Sequence, residues 1–186
     1  MKNYLEYYDN LLGLISENVM TGNSPAPQAT PWLLDIHGNE FCTLIYNLRD
    51  NSYEYVSESI EKLIGLTAYE VTVKGPAGML AGIHPDYLPW ALKVLDNVRR
   101  LRMQVPVPQR LRSQLTISLP VQNKRGGYQW IELQTLPLKL DKQGNVEFLF
   151  MLAQPLPDKD GQTKKTYSYV RVPDEHGVLK KLSIAA

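Results

Sequence analysis

The side chains able to do chemistry are few and scattered. The sequence of 186 residues holds one cysteine, Cys42, and three histidines, His37, His84 and His176. A single cysteine excludes an internal disulfide framework and suits a reducing compartment. His37 and His176 stand beside glycines and His84 precedes a proline, so the three lack the spacing of a metal site. His84 reads as a structural residue that bonds backbone. The serines and threonines fit caps and strand faces rather than a nucleophile with its base. Asp86 reads as a helix cap. Glu132, between Gln129 and Gln134, has the chemistry to line a pocket, but an exposed strand face is the plainer reading. The run Gly75-Pro76-Ala77-Gly78 lacks the lysine and the following Ser or Thr of a phosphate-cradling loop. Arg99, Arg100, Arg102, Arg110 and Arg112 form the one charge cluster. They carry no interleaved aromatics and the net charge is +1, so the expectation is a solvated helix end and no direct nucleic-acid binding.

The elements that must position these groups are clearer than the groups themselves. At 44% hydrophobic the chain can bury a real core. The N-terminus has no positive stretch followed by an apolar run, and no uncharged apolar segment approaches the roughly 18 residues of a bilayer span. A cytoplasmic protein without membrane contact is therefore the expectation. Residues 1–22 read as an amphipathic helix, with Leu5, Tyr8, Leu12, Ile15 and Val19 on one face. That stripe must be buried, on its own domain or in a dimer. Residues 23–39 are a proline-rich linker and a short strap. A domain over 40–157 follows, then a tail over 158–186 in which 167–172 and 178–184 are able to pair as a hairpin.

Within the domain, 41–48 alternates as a strand and the Arg49-Asp50-Asn51-Ser52 turn leads to a second strand at 53–56. Ser57 or Ser59 can cap a short helix that Gly65 ends. Thr67-Ala68-Tyr69-Glu70 is a capping box that opens the next. Three glycines and a proline make 74–82 the most deformable part of the core. A long helix begins near Asp86 with Pro89 in its first turn, where a missing amide hydrogen costs nothing. Its expected buried stripe is Leu88, Leu92, Leu95, Val98 and Leu101. Three strands separated by short turns then predict an antiparallel meander.

This order of elements resembles the PAS sensor family. Tyr55-Val56-Ser57 followed by Ile60, Leu63, Ile64 and Gly65 is similar to its passage from second strand to first helix. Ile83-His84-Pro85-Asp86 is similar to its approach to the long helix, and Gly127-x-x-Trp130 to the opening of its penultimate strand. The resemblance spans about 40–155 and extends to PAS modules of bacterial cytoplasmic regulators, LuxR-type ones included. It implies an α+β fold: a five-stranded antiparallel sheet with short helices and one long helix on one face, to which the periodicity of 1–22 adds the N-terminal helix.

It also implies a signal-sensing and dimerisation module with a ligand space between sheet and long helix. The candidate pocket residues are Tyr55, Met79, Leu92, Leu95, Trp130 and Phe148, with Phe150 as an alternative to Phe148. Photoactive flavin is disfavoured, because 57–82 has no cysteine and Cys42 lies on the first strand. Haem is disfavoured, because 87–102 has no histidine. The cofactor is otherwise open. The expected partners are a small apolar or amphipathic ligand, a second copy of the chain, and an output domain or protein outside it. Two alternatives stand beside this: a ligand-free protein-interaction module, and a small α+β-cone enzyme. The enzyme would show a carboxylate of raised pKa facing into a pocket; a non-enzymatic protein is the expectation.

Overall fold

A computed structural model describes residues 41–156, 166–174 and 178–184. The amphipathic helix expected at 1–22 and the linker at 23–39 lie outside the described residues. Seven antiparallel strands form one sheet: β1 (Cys42–Asn47), β2 (Ser52–Val56), β3 (Gln114–Gln122), β4 (Tyr128–Leu140), β5 (Val146–Pro155), β6 (Tyr167–Pro173) and β7 (Leu179–Ser183). Their spatial order is β2-β1-β5-β4-β3-β6-β7. The expected five strands form the larger part of it. The sheet gains two more because the tail hairpin pairs along β3, setting Leu115 opposite Val170 and Ile117 opposite Ser168. That pairing covers a row of β3 backbone groups that would otherwise stand open.

Between β2 and β3 come α1 (Ile60–Ile64), α2 (Ala68–Ala81), α3 (Leu88–Gln104) and a 3-10 segment, Val107–Arg112. Gly65 ends α1 in the left-handed conformation. Thr67 and Glu70 close the capping box of α2, which pulls the Glu70 carboxyl below its usual range through hydrogen bonds from Thr67. Ser59 occupies the cap position of α1 but makes no cap bond; its hydroxyl donates instead to the Phe41 carbonyl at 2.6 Å. Ser57 accepts from the Thr43 amide at 2.9 Å, so both serines tie β1 to the helices. Asp86 does not cap α3 either: Tyr87 is the cap residue, and Pro89 lies in the first turn as expected.

The deformable stretch resolves into a break inside α2. Gly75 has φ +60° and ψ −164°, a combination that only glycine adopts without strain, and Pro76 restarts the helix behind it. The buried face of α3 is Ala91, Val94, Val98 and Arg102, not the stripe through Leu92 and Leu95. Leu92 is 46% exposed and Leu95 40%. One residue of helix is about 100° of rotation. Shifting the buried face by one position thus carries Leu92 out of the core and brings Arg102 in.

Candidate functional site

The register of the sheet decides which side chains meet the helices. One row joins Leu44, Met151, Thr135, Leu115 and Val170, and the next joins Cys42, Ala153, Leu133, Ile117 and Ser168. These rows face α2 and α3 and belong to the main core, apart from the polar Thr135 and Ser168. The alternate rows point the other way, because successive strand residues face opposite sides. There Ile45, Leu136, Phe148, Phe150 and Leu152 form a second, separate cluster, with Phe41 and Tyr55 against it.

Between the helices and the first set of rows lies a cavity of about 530 Å³. The sheet supplies Leu44, Leu115, Ile117, Leu133 and Met151 to its wall. Pro76, Met79 and Leu80 come from α2 behind the Gly75 break, and Leu95, Val98 and Arg102 from α3. The size is within the roughly 300–1,000 Å³ range of small-molecule sites, and an apolar wall with a few polar groups is their usual make-up.

Of the residues expected to line a pocket, Met79 and Leu95 are on this wall. Four are elsewhere. Tyr55 and Phe148 belong to the cluster on the opposite face, as does Phe150, because Tyr53, Leu149 and Met151 are the ones whose parity points inward. Leu92 is turned out by the phase of α3. Trp130 shares the parity of Glu132 rather than Ile131; its ring meets Tyr87 edge-on, with centroids 5.5 Å apart. Glu132 also stands on the far face, where its carboxylate accepts from Tyr167, Gln134 and Gln154. Glu132, which has the chemistry to line a pocket, is thus outside the cavity.

His84 sits at the junction before α3. Its backbone amide donates to the Pro120 carbonyl at 3.0 Å and its Nδ1 accepts from the Asp86 amide at 3.2 Å. Its ring lies against Tyr128 and Tyr87. Cys42 is buried on β1, and burial pushes its thiol up to about 12, so it is no thiolate at neutral pH. Tyr53, on the cavity wall, has its phenol pushed up in the same way.

The polar features that the sequence did not disclose are Arg102, Arg110 and Thr135. The arginine cluster does not behave as one solvated helix end. Arg99 and Arg100 are exposed and pair with Asp96 at 3.2 and 2.8 Å. Arg102 and Arg110 are each only 8% exposed and both reach the cavity wall. Arg110 donates to three carbonyls: Nε to Val105 at 2.9 Å, and its terminal nitrogens to Gly144 at 2.7 Å and Met103 at 3.1 Å. Arg102 donates from Nε to the Ser113 hydroxyl and from a terminal nitrogen to the Thr135 hydroxyl, both at 3.1 Å. The available signal was the i, i+4 spacing of Arg102 from Val98.

No protein-family model matches the sequence, and no curated relative does. Among solved structures, the chain is similar to the N-terminal domain of a diguanylate cyclase with a PAS/PAC sensor from Marinobacter aquaeolei. The identity is 16% and the TM-score 0.50, over 62% of this chain and 94% of that one. It is also similar to a sensory box histidine kinase/response regulator from Burkholderia thailandensis, at 16% identity and TM-score 0.45, over 67% and 83%. A PAS domain from Colwellia psychrerythraea matches at 13% identity and TM-score 0.44, over 62% and 86%. At these identities the first likeness establishes the fold alone: the described chain has the fold of a PAS sensor domain. Among the described residues no helix is long and apolar enough to cross a membrane.

Proposed function

We propose that the chain is a PAS-like signal-sensing module whose ligand occupies the cavity between the sheet and α3. The observation that carries this reading is the cavity itself, about 530 Å³ of mostly apolar space enclosed by α2, α3 and the sheet. A ligand there touches Met79 and Leu80 behind the Gly75 break as well as the rigid sheet. Occupation then favours one of two packings of α2, and flanking segments transmit the difference. The module works by binding and not by turnover. It acts as a homodimer through 1–22 and passes the signal to an output domain or partner outside this chain, as in a bacterial transcription or signalling regulator of the LuxR or another type.

Mass spectrometry tests the reading on freshly purified protein, by comparing native with denatured mass. A small molecule released on denaturation supports it. A native mass equal to the chain mass, with no apolar probe taken up, overturns it. Deleting 1–22 converts the dimer to monomer if that segment organises it; a dimer that persists overturns that part. A second reading, a ligand-free interaction module, draws support from Leu92, which α3 presents to solvent at 46% exposure.

A further inference from the structure

The cavity is not uniformly apolar, and its polarity has a direction. Leu119, Val121 and Ile131 line it towards the end where α3 begins, beside the bridge between Ile83 and Val121. Arg102 lines it in the last turn of α3, against the row of Leu115 and Thr135. We propose that the cavity takes an anionic amphiphile, a single carboxylate on an unbranched apolar body, with Arg102 as the anchor of the head group. This rests on the reading of the cavity as a ligand site.

Arg102 has no counter-ion among the described residues. Its guanidinium is more than nine-tenths buried, and its two hydrogen bonds go to neutral hydroxyls. Among the described residues, no carboxylate lies within 4.0 Å of its nitrogens; the ion pairs there involve Arg49, His84, Arg99, Arg100, Lys124, Lys139 and Lys180. Removing a charge from water without a counter-ion is unfavourable, and buried charges are normally paired. Burial lowers its pKa only to about 10, so it stays charged at neutral pH. A guanidinium has five donors in a planar fork that matches a carboxylate, and the two hydroxyls take only two of them. They hold the fork in place at the cavity wall. Ser113 is itself oriented, since its hydroxyl donates to the Arg110 carbonyl at 2.8 Å.

Arg110 does not compete for this role, because each of its three nitrogens already donates to a carbonyl. Arg99 has Asp96 and is exposed. Most of the rest of the wall offers a chain-shaped ligand apolar side chains, leucine, isoleucine, valine and methionine among them, with Tyr46, Tyr53, Thr135 and Asn145 as the uncharged polar groups. A dicarboxylate or a sugar would leave polar groups against that wall, which disfavours both. A cationic amphiphile would meet Arg102 head-on.

The test is calorimetric titration of the full delipidated chain with decanoate, decanol and decyltrimethylammonium below their micelle concentrations. The expected order is decanoate tightest, about tenfold or more over decanol, as for hydrogen bonds to a charged group. The ammonium compound is weakest. Arg102→Met is expected to lose the preference for decanoate, binding the acid and the alcohol alike. Its circular dichroism and urea unfolding show whether the variant keeps its fold. Should Arg102→Met fail to fold, Arg102→Lys is the substitute, with a reduced but persistent preference. Equal binding of decanoate and decanol by the parent, or an undiminished preference in Arg102→Met, overturns the anion anchor while leaving the cavity a ligand site. If none of the three binds, the cavity reading itself fails and the anchor with it.

Discussion

Two buried arginines stand at the same end of the molecule and are treated differently. Arg110 sits where the 3-10 segment meets the β4–β5 turn, and donates to backbone carbonyls of Met103, Val105 and Gly144. It joins the end of α3 to a turn far away in sequence. Arg102, in the last turn of α3, has the Ser113 and Thr135 hydroxyls and an open cavity in front of it. The same side chain is in one place a fastener and in the other a charge with spare donors. Burial of a cation does not by itself mark a binding site; the state of its donors does.

The larger effect is expected at Arg110. Arg110→Met leaves three carbonyls without their donor, and the expected loss of stability is about 3–5 kcal/mol, read from urea unfolding. A loss below about 1 kcal/mol would mean that the fastener is not one. Gly144→Ala attacks the same region from the other side. Gly144 has φ +82°, and an added Cβ would sit 2.9 Å from a Val107 methyl and 3.3 Å from an Arg110 terminal nitrogen. The expected loss is about 1–3 kcal/mol, with the Arg110 contact disturbed. A comparable loss is expected for Gly75→Ala, where nothing crowds the new Cβ and the strain is conformational alone. Its unfolding curve should shift while the sheet's amide signals stay in place.

Arg102→Met is expected to change stability by less than about 1 kcal/mol in either direction, because an apolar replacement removes a poorly compensated charge. A loss as large as that of Arg110→Met would erase the distinction between the two arginines.

The smallest effect is with pH. The folded pKa of Arg102 is depressed to about 10 by burial. Below pH 10 folded and unfolded forms are both charged and the burial penalty is complete. Above it the folded form has released a proton that the unfolded form keeps, so stability rises with pH through this group. Cys42 works in the opposite sense: its pKa is raised to about 12, so its contribution is complete below its usual pKa near 9 and is lost as pH rises towards 12. The thiol is common to the parent and Arg102→Met, so it cancels in their difference. That difference should move in favour of the parent between pH 9 and 11; a flat difference would mean that Arg102 is better solvated than its surroundings indicate.

What the sequence disclosed and what it hid have separate physical causes. Gly65, the Thr67–Glu70 box, Pro89 and the turns between β3, β4 and β5 were legible because each depends on a few neighbouring residues. The hairpin of β6 and β7 was legible as a pairing, but its place beside β3 required partners some fifty residues away in sequence. The space between sheet and long helix was anticipated, but its lining was misassigned where the local pattern is ambiguous. In β5 the stretch from Phe148 to Ala153 is apolar on both faces, so no alternation says which residues turn towards α3. In α3 the leucines at 92 and 95 suggested one stripe through Val98, while the smaller Ala91 and Val94 join Val98 in the actual one. Arg102 lies on that smaller-residue face. A charged residue in a helix's last turn has an ordinary surface explanation, and only the three-dimensional phase removes it.

The most direct measurement is a crystal structure of the full chain grown with decanoate. The carboxylate is expected within hydrogen-bond distance of the Arg102 guanidinium, with the alkyl chain running between Val98 of α3 and the Ile117–Leu133 row of the sheet. A cavity filled by its own side chains would contradict this, as would a decanoate bound elsewhere or with its head at the Val121 end.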